Sequence, residues 1–113
     1  MSETRKYYEN KVAVVTGGAS GIGLALCEAM LAFGAKKVVL ADINKDKLES
    51  EAARLNREYP GRVLGLMCDV TNEENVKDMI AKSAAFGEGH LDILFNNAGV
   101  GLSGLFEEQT HKN

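Results

Sequence analysis

At 113 residues the chain has the length of a single domain, long enough to bury a real core. Apolar residues at 45% and charged residues at 26% are ordinary for a globular protein, and a net charge of −3 gives no electrostatic case for nucleic acid or an anionic membrane surface. No apolar run approaches the roughly 18 residues needed to span a bilayer. The polar start, Met1 to Lys11, lacks the hydrophobic stretch of a secretion signal. Cys27 and Cys68 form neither a disulfide framework nor a metal-ligand spacing. They read as small buried hydrophobes, and the expected compartment is reducing and cytoplasmic.

In chain order, Lys11 to Gly17 is a nearly continuous apolar run, the pattern of a strand buried on both faces of a parallel sheet. From Gly21 to Phe33 the period turns helical, with Ile22, Leu26, Ala29, Met30 and Phe33 as the stripe and Gly34 as the stop. Lys37 to Asp42 is a second buried strand. Asn44 is placed to cap a helix whose apolar stripe is Leu48, Ala52, Leu55 and Tyr59, ended by Pro60 and Gly61. Arg62 to Val70 reads as strand three. Thr71 and Glu74 then have capping-box spacing, opening a helix with Val76, Met79, Ile80 and Ala84. Leu91 to Asn96 is strand four, followed by a glycine-rich and then polar tail.

This alternation predicts an α/β fold: a Rossmann-like, doubly wound parallel sheet, β-α-β-α-β-α-β, stopping after about four strands. Residues 1–10 are a polar lead-in and residues 11–113 the dinucleotide-binding domain. The glycines between the first strand and first helix explain why. A helix N-terminus carries unpaired N–H groups and the positive end of the dipole, which suits an anion. Glycine lets a diphosphate approach the backbone and permits a tight turn. Gly17, Gly21 and Gly23 therefore read as a pyrophosphate-binding turn, with Ile22 inside it. Ser20 can offer its hydroxyl as a helix cap or to a phosphate. The spacing, T-G-x-x-x-G-x-G, is neither the usual G-x-G-x-x-G nor a P-loop.

Asp42 ends strand two, where an acidic residue accepts hydrogen bonds from the adenosine ribose hydroxyls, with Ile43 beside it. Its charge would repel a 2′-phosphate, and the turn carries no basic residue. NAD is expected over NADP. A solvated strand end or an additional helix cap is the simpler alternative for Asp42.

The segments TGGASGIG, LADIN, CDVTNEENV and LDILFNNAG, in this order, resemble the short-chain dehydrogenase/reductase family, over about Lys11 to Leu105. The resemblance implies NAD(P)-dependent oxidation or reduction of alcohols and carbonyls. It also implies that Asp69 and Val70 bind the adenine edge, and that Asn96, Ala98 and Gly99 steady strand four and line the ribose side. Asp69 as a helix N-terminal charge and Asn97 as a turn former are the plain alternatives.

The family's catalytic Tyr-x-x-x-Lys pair and Ser lie beyond the N-N-A-G motif. The Tyr7-x-x-x-Lys11 match precedes strand one, at the wrong sheet edge, and His90 lies there too. The expectation is thus the cofactor-binding half of an NAD-dependent oxidoreductase, with no catalytic residue of its own. A non-catalytic nucleotide-binding or dimerising module is the alternative. A small alcohol or carbonyl substrate belongs to a full-length form. Strand four would leave an open edge for self-association, with Leu94, Val100, Leu102, Leu105 and Phe106 as exposed apolar surface.

Overall fold

The computed structural model describes residues 7–97. Strands β1 (Val12–Thr16), β2 (Lys37–Asp42), β3 (Val63–Met67) and β4 (Ile93–Asn96) alternate with helices α1 (Gly21–Ala32), α2 (Lys45–Glu58) and α3 (Glu73–Phe86). The strands make one parallel sheet in the order β3-β2-β1-β4. The chain builds outward from β1 to β3, then crosses back to lay β4 on the other side of β1. The order therefore reverses between β1 and β4, the switch point outside whose carboxyl edge open α/β sheets bind ligands.

Side-chain alternation along the strands divides the interior into two cores. Ala13, Val15, Val38, Leu40 and Val63 meet Cys27, Met30 and Leu31 of α1 and Leu48, Ala52 and Leu55 of α2. On the opposite face, Val14, Val39 and Ala41 meet Val76 and Met79 of α3. Every residue of β1 is buried, as a central strand covered on both faces requires. Fully burying one such Val or Leu is worth about 1.5–3 kcal/mol. β1 and β2, with a strand on each side, are therefore the anchor from which the functional edge projects.

Several sequence expectations need correction. The face of α1 that is buried carries Gly23, Cys27, Met30 and Leu31, whereas Ile22 is 74% exposed and Ala29 is exposed. Almost every residue of this helix is apolar, so periodicity held little contrast, and a glycine took the closest contact. Thr71 does not cap α3. Asn72 does, its side chain accepting from the Asn75 N–H, while the Thr71 hydroxyl, one residue further from the helix, donates to Asp69 Oδ1 at 2.6 Å. β3 ends at Met67, so Cys68 to Val70 form a loop rather than strand.

β4 begins at Ile93 because Asp92 meets β1 with its side chain. Its Oδ2 accepts the Val12 N–H at 2.8 Å, while its own N–H donates to the Val12 carbonyl at 2.8 Å. The lead-in is more than polar: Tyr8 stacks on Phe33 with ring centroids 6.3 Å apart and packs against the first core. The Asn44 cap of α2 is as expected, accepting from the Lys47 N–H at 3.1 Å. Cys27 and Cys68 are buried, free thiols. No helix among the described residues is long and apolar enough to cross a membrane.

Candidate nucleotide site

The turn joining β1 to α1 uses its glycines for separate physical reasons. Gly17 and Gly21 adopt φ of +66° and +58°, left-handed conformations that side chains disfavour. Around Gly21 an added Cβ would meet nothing within 4 Å, so its backbone is open to a ligand. Gly23 is the reverse case. A Cβ there would fall 2.1 Å from the Gly17 carbonyl oxygen and 2.8 Å from Asn97 Nδ2, so α1 enters directly against the end of β1. Sequence reading gave Gly18 no role, yet a Cβ there would lie 2.8 Å from the Val15 carbonyl oxygen.

Ser20 occupies the N-cap position of α1 in an extended conformation, but its hydroxyl makes no capping bond, and the first turn carries no acidic residue. Helices α2 and α3 are both capped by asparagine side chains. Among the described helices, α1 alone thus presents an N-terminus that no side chain has neutralised or capped.

Next to this turn lies a cleft of about 250 Å³ lined by Gly17, Asp42, Ile43, Cys68, Asp69, Val70 and Thr71. The turn after β1 supplies Gly17, the end of β2 supplies Asp42 with Ile43 just past it, and the loop after β3 supplies the rest. Asp42 is fixed by two backbone amides, Ala19 N–H to Oδ2 and Asn44 N–H to Oδ1, each at 3.0 Å. Ile43 is 63% exposed, an apolar side chain that water does not favour at the rim. Asp69 folds back on its own loop, its Oδ1 accepting from the Thr71 hydroxyl and the Thr71 N–H. Those two bonds, the hydroxyl first, hold its carboxyl below the usual range.

Asn75 is the residue sequence reading missed. From the first turn of α3 its Oδ1 accepts the Asp69 N–H at 3.2 Å, which pins the loop wall. The N-x-x-N pair of Asn72 and Asn75 was the available signal, hidden by the more familiar T-x-x-E spacing. Burial pushes the Cys68 thiol up, with the Asp69 and Asp78 charges adding to it, and burial pushes Cys27 up to about 12. Both thiols stay protonated near neutral pH and offer no nucleophile.

At the switch point, the Thr16 hydroxyl donates to the Phe95 carbonyl and to Asn96 Oδ1, both at 3.3 Å. Asn97 Nδ2 reaches the Gly17 carbonyl at 3.4 Å. These bonds tie β4 to the start of the glycine turn. Of the residues singled out from sequence, Gly17, Asp42, Ile43, Asp69 and Val70 line the one cleft. Ser20, Gly21, Ile22 and Gly23 form the adjoining helix entrance, and Asn96 lies at the end of β4. Ala98 and Gly99 fall outside the described residues, as do Val100, Leu102, Leu105 and Phe106, while Leu94 is half-buried. Tyr7, Lys11 and His90 lie at the opposite sheet edge, His90 Nδ1 being 3.2 Å from Asp92 Oδ2. Among the described residues no group of three or more His, Cys, Asp or Glu is arranged to hold a metal.

A parallel sheet of this order, with its glycine turn beside the switch point and a cleft past the carboxyl ends of β1, β2 and β3, defines a doubly wound α/β domain of the Rossmann type. Residues 11–113 match the family model described as short chain dehydrogenase, and the chain belongs to that family of oxidoreductases. It is 46% identical over 96 residues to a (+)-cis,cis-nepetalactol synthase from Nepeta racemosa, covering 85% of this chain and 34% of that protein. With L-fucose dehydrogenase from Bos taurus it shares 38% identity over 103 residues, 91% of this chain and 36% of the relative. Among solved structures, a short chain dehydrogenase/reductase from Burkholderia phymatum in complex with NAD is similar with a TM-score of 0.75 and 36% identity, over 82% of this chain and 32% of that one. The chain thus spans about a third of the length of these relatives.

Proposed function

We propose that this chain is the dinucleotide-binding part of an NAD-dependent short-chain dehydrogenase/reductase that interconverts an alcohol and a carbonyl compound. The observation that carries the reading is Asp42, whose carboxylate stands between the glycine turn and the cleft with both oxygens fixed. The cleft lining holds two carboxylates and neither Lys nor Arg. That charge pattern suits ribose hydroxyls, which donate, and opposes a 2′-phosphate.

In this reading the diphosphate sits at the uncapped N-terminus of α1, over Gly17, Ser20, Gly21, Ile22 and Gly23. Asp42 holds the adenosine ribose, Ile43 covers one face of the adenine, and Asp69 and Val70 meet its edge. Asn96, with Ala98 and Gly99, lines the ribose side. The complex of the Burkholderia phymatum relative with NAD supports the choice of ligand class. Bound there, the nicotinamide would supply the hydride acceptor or donor, while the residues of this chain bind and orient. The proton-transferring Tyr, Lys and Ser implied by the family resemblance have no counterpart assigned among these residues. Two buried free thiols accord with a reducing, cytoplasmic setting.

Calorimetric titration tests the reading. NAD⁺ should bind saturably at one site, and NADP⁺ at least about tenfold more weakly. Equal or tighter binding of NADP⁺ would contradict it.

A further inference from the structure

We propose that Asp42 is also a positioning residue for the glycine-rich turn, so that cofactor choice cannot be altered at Asp42 alone. The tie stands on the ligand-free geometry; only its consequence for cofactor choice rests on the NAD reading above.

Two consecutive amides of the turn hook onto two consecutive residues of β2. Gly18 N–H donates to the Ala41 carbonyl at 3.2 Å, and Ala19 N–H donates to Asp42 Oδ2 at 3.0 Å. The first bond is backbone to backbone and survives any side-chain substitution. The second depends on the Asp42 carboxylate. Ala19 is fully buried while the Asp42 carboxylate holds its N–H, so removing that acceptor removes this hold on the turn. Past Ala19 the next tie is the first bond of α1 itself, Leu24 N–H to the Ser20 carbonyl at 3.3 Å, because the Ser20 hydroxyl makes no cap bond and Gly21 has open space around it.

The other carboxylate oxygen accepts the Asn44 N–H, at the cap of α2. Both partners of Asp42 are therefore donors. A carboxylate satisfies both with charge-assisted bonds, whereas an asparagine would turn an NH₂ group toward one of them. Asp42 thus links the entrances of α1 and α2 through one side chain. Replacing it by a small neutral residue would lift the repulsion toward a 2′-phosphate, and would at the same time release the turn that has to receive the diphosphate. Loss of NAD⁺ without gain of NADP⁺ follows.

The experiment is amide exchange by NMR on the unliganded 113-residue chain, wild type against Asp42→Ala and Asp42→Asn, followed by titration with NAD⁺ and NADP⁺. In Asp42→Ala the Ala19 amide should exchange at least about tenfold faster, and in Asp42→Asn one of the two partner amides, Ala19 or Asn44, should do so, while β1 and β2 amides keep their protection and report that the fold is intact. In the wild type a scalar coupling across the hydrogen bond should connect Ala19 N with Asp42 Cγ, a readout that needs no variant to fold. Both dinucleotides should bind Asp42→Ala more weakly than wild type. Unchanged Ala19 exchange in folded Asp42→Ala, or absence of the wild-type coupling, overturns the tie. Tighter NADP⁺ binding by Asp42→Ala than by wild type overturns its consequence for cofactor choice. A wild-type chain that binds neither dinucleotide defeats the proposed function, and leaves the tie to be judged on exchange and coupling.

Discussion

The two edges of the sheet treat the helix ends they carry in opposite ways. At the carboxyl edge of the strands the N-terminus of α1 is left without a capping side chain, and the acidic residues Asp42 and Asp69 stand around a cleft. At the other edge the three helices end, and basic side chains gather there, Arg62 reaching a carbonyl in the last turn of α1. Arg62 donates from Nε and Nη2 to the Ala35 carbonyl and from Nη2 to the Leu31 carbonyl, at the end of α1. Lys37 Nζ donates to the Gly61 carbonyl at 2.8 Å and lies over the Phe86 ring, and Lys36 pairs with Glu88. A shallow hollow of about 480 Å³ between these groups is therefore lined by cations that already have partners. The comparison teaches that a helix end becomes a binding site when the chain withholds its own side chains from it. Burial or charge alone does not make one.

The sharpest break of this contrast is Gly23→Ala. The new Cβ meets the Gly17 carbonyl at 2.1 Å, so α1 must move away from β1. Stability should fall by about 3 kcal/mol, with dinucleotide binding lost, as measured by denaturant unfolding and calorimetry. Arg62→Met acts at the other edge alone. It removes the donors from two backbone carbonyls, so unfolding should show a loss of about 2 kcal/mol while NAD⁺ affinity stays unchanged. A change in that affinity would break the separation of the edges.

Gly21→Ala sharpens the comparison within the turn itself. There is room for the methyl group, and the cost in stability is that of a left-handed alanine, about 1 kcal/mol. Binding should suffer far more than stability, because the methyl group occupies the space in which the diphosphate would approach.

The smallest effect concerns pH. The Val12 N–H, more than the neighbouring His90, holds the Asp92 carboxyl below the usual range, and Lys36 does the same for Glu88. A carboxyl whose pKa is lower folded than unfolded stabilises the fold while ionised. Its contribution is complete above the ordinary carboxylate value of about 4 and disappears as the pH falls through the depressed folded value. Unfolding midpoints should therefore be flat from neutral pH down to about 5 and drop below about 4. Asp92→Ala should lower stability at pH 7 by less than about 1 kcal/mol and make the acid drop shallower.

Much of the fold was legible because parallel strands buried on both faces write continuous apolar runs. β2 matches its expected span from Lys37 to Asp42, and short crossovers account for β1, β2 and β3 as neighbours, though not for the return of β4 to pair with β1. Of the residues expected at a site, Gly17, Asp42 and Ile43, at or just after strand ends, and Asp69 and Val70, which the family resemblance singled out, line one cleft. What the sequence did not disclose depends on competition between neighbours. Thr71 and Asn72 could each cap α3, and the helix starts at Glu73, so Asn72 holds the cap position while Thr71 bonds the Asp69 carboxylate. The buried face of α1 was hidden by its uniform apolarity. Asn75, Gly18 and the tie from Asp42 to Ala19 act across the fold on backbone groups, which carry no side-chain pattern to read.

The most direct test of the account is to titrate the ¹⁵N-labelled chain with NAD⁺ and map the shifted amides. Shifts confined to the turn from Gly17 to Gly23, the Asp42–Ile43 pair and the Asp69–Val70 loop, with Lys36, Lys37, Arg62 and Glu88 silent, are the predicted result. Shifts centred on those four residues at the opposite edge would contradict it.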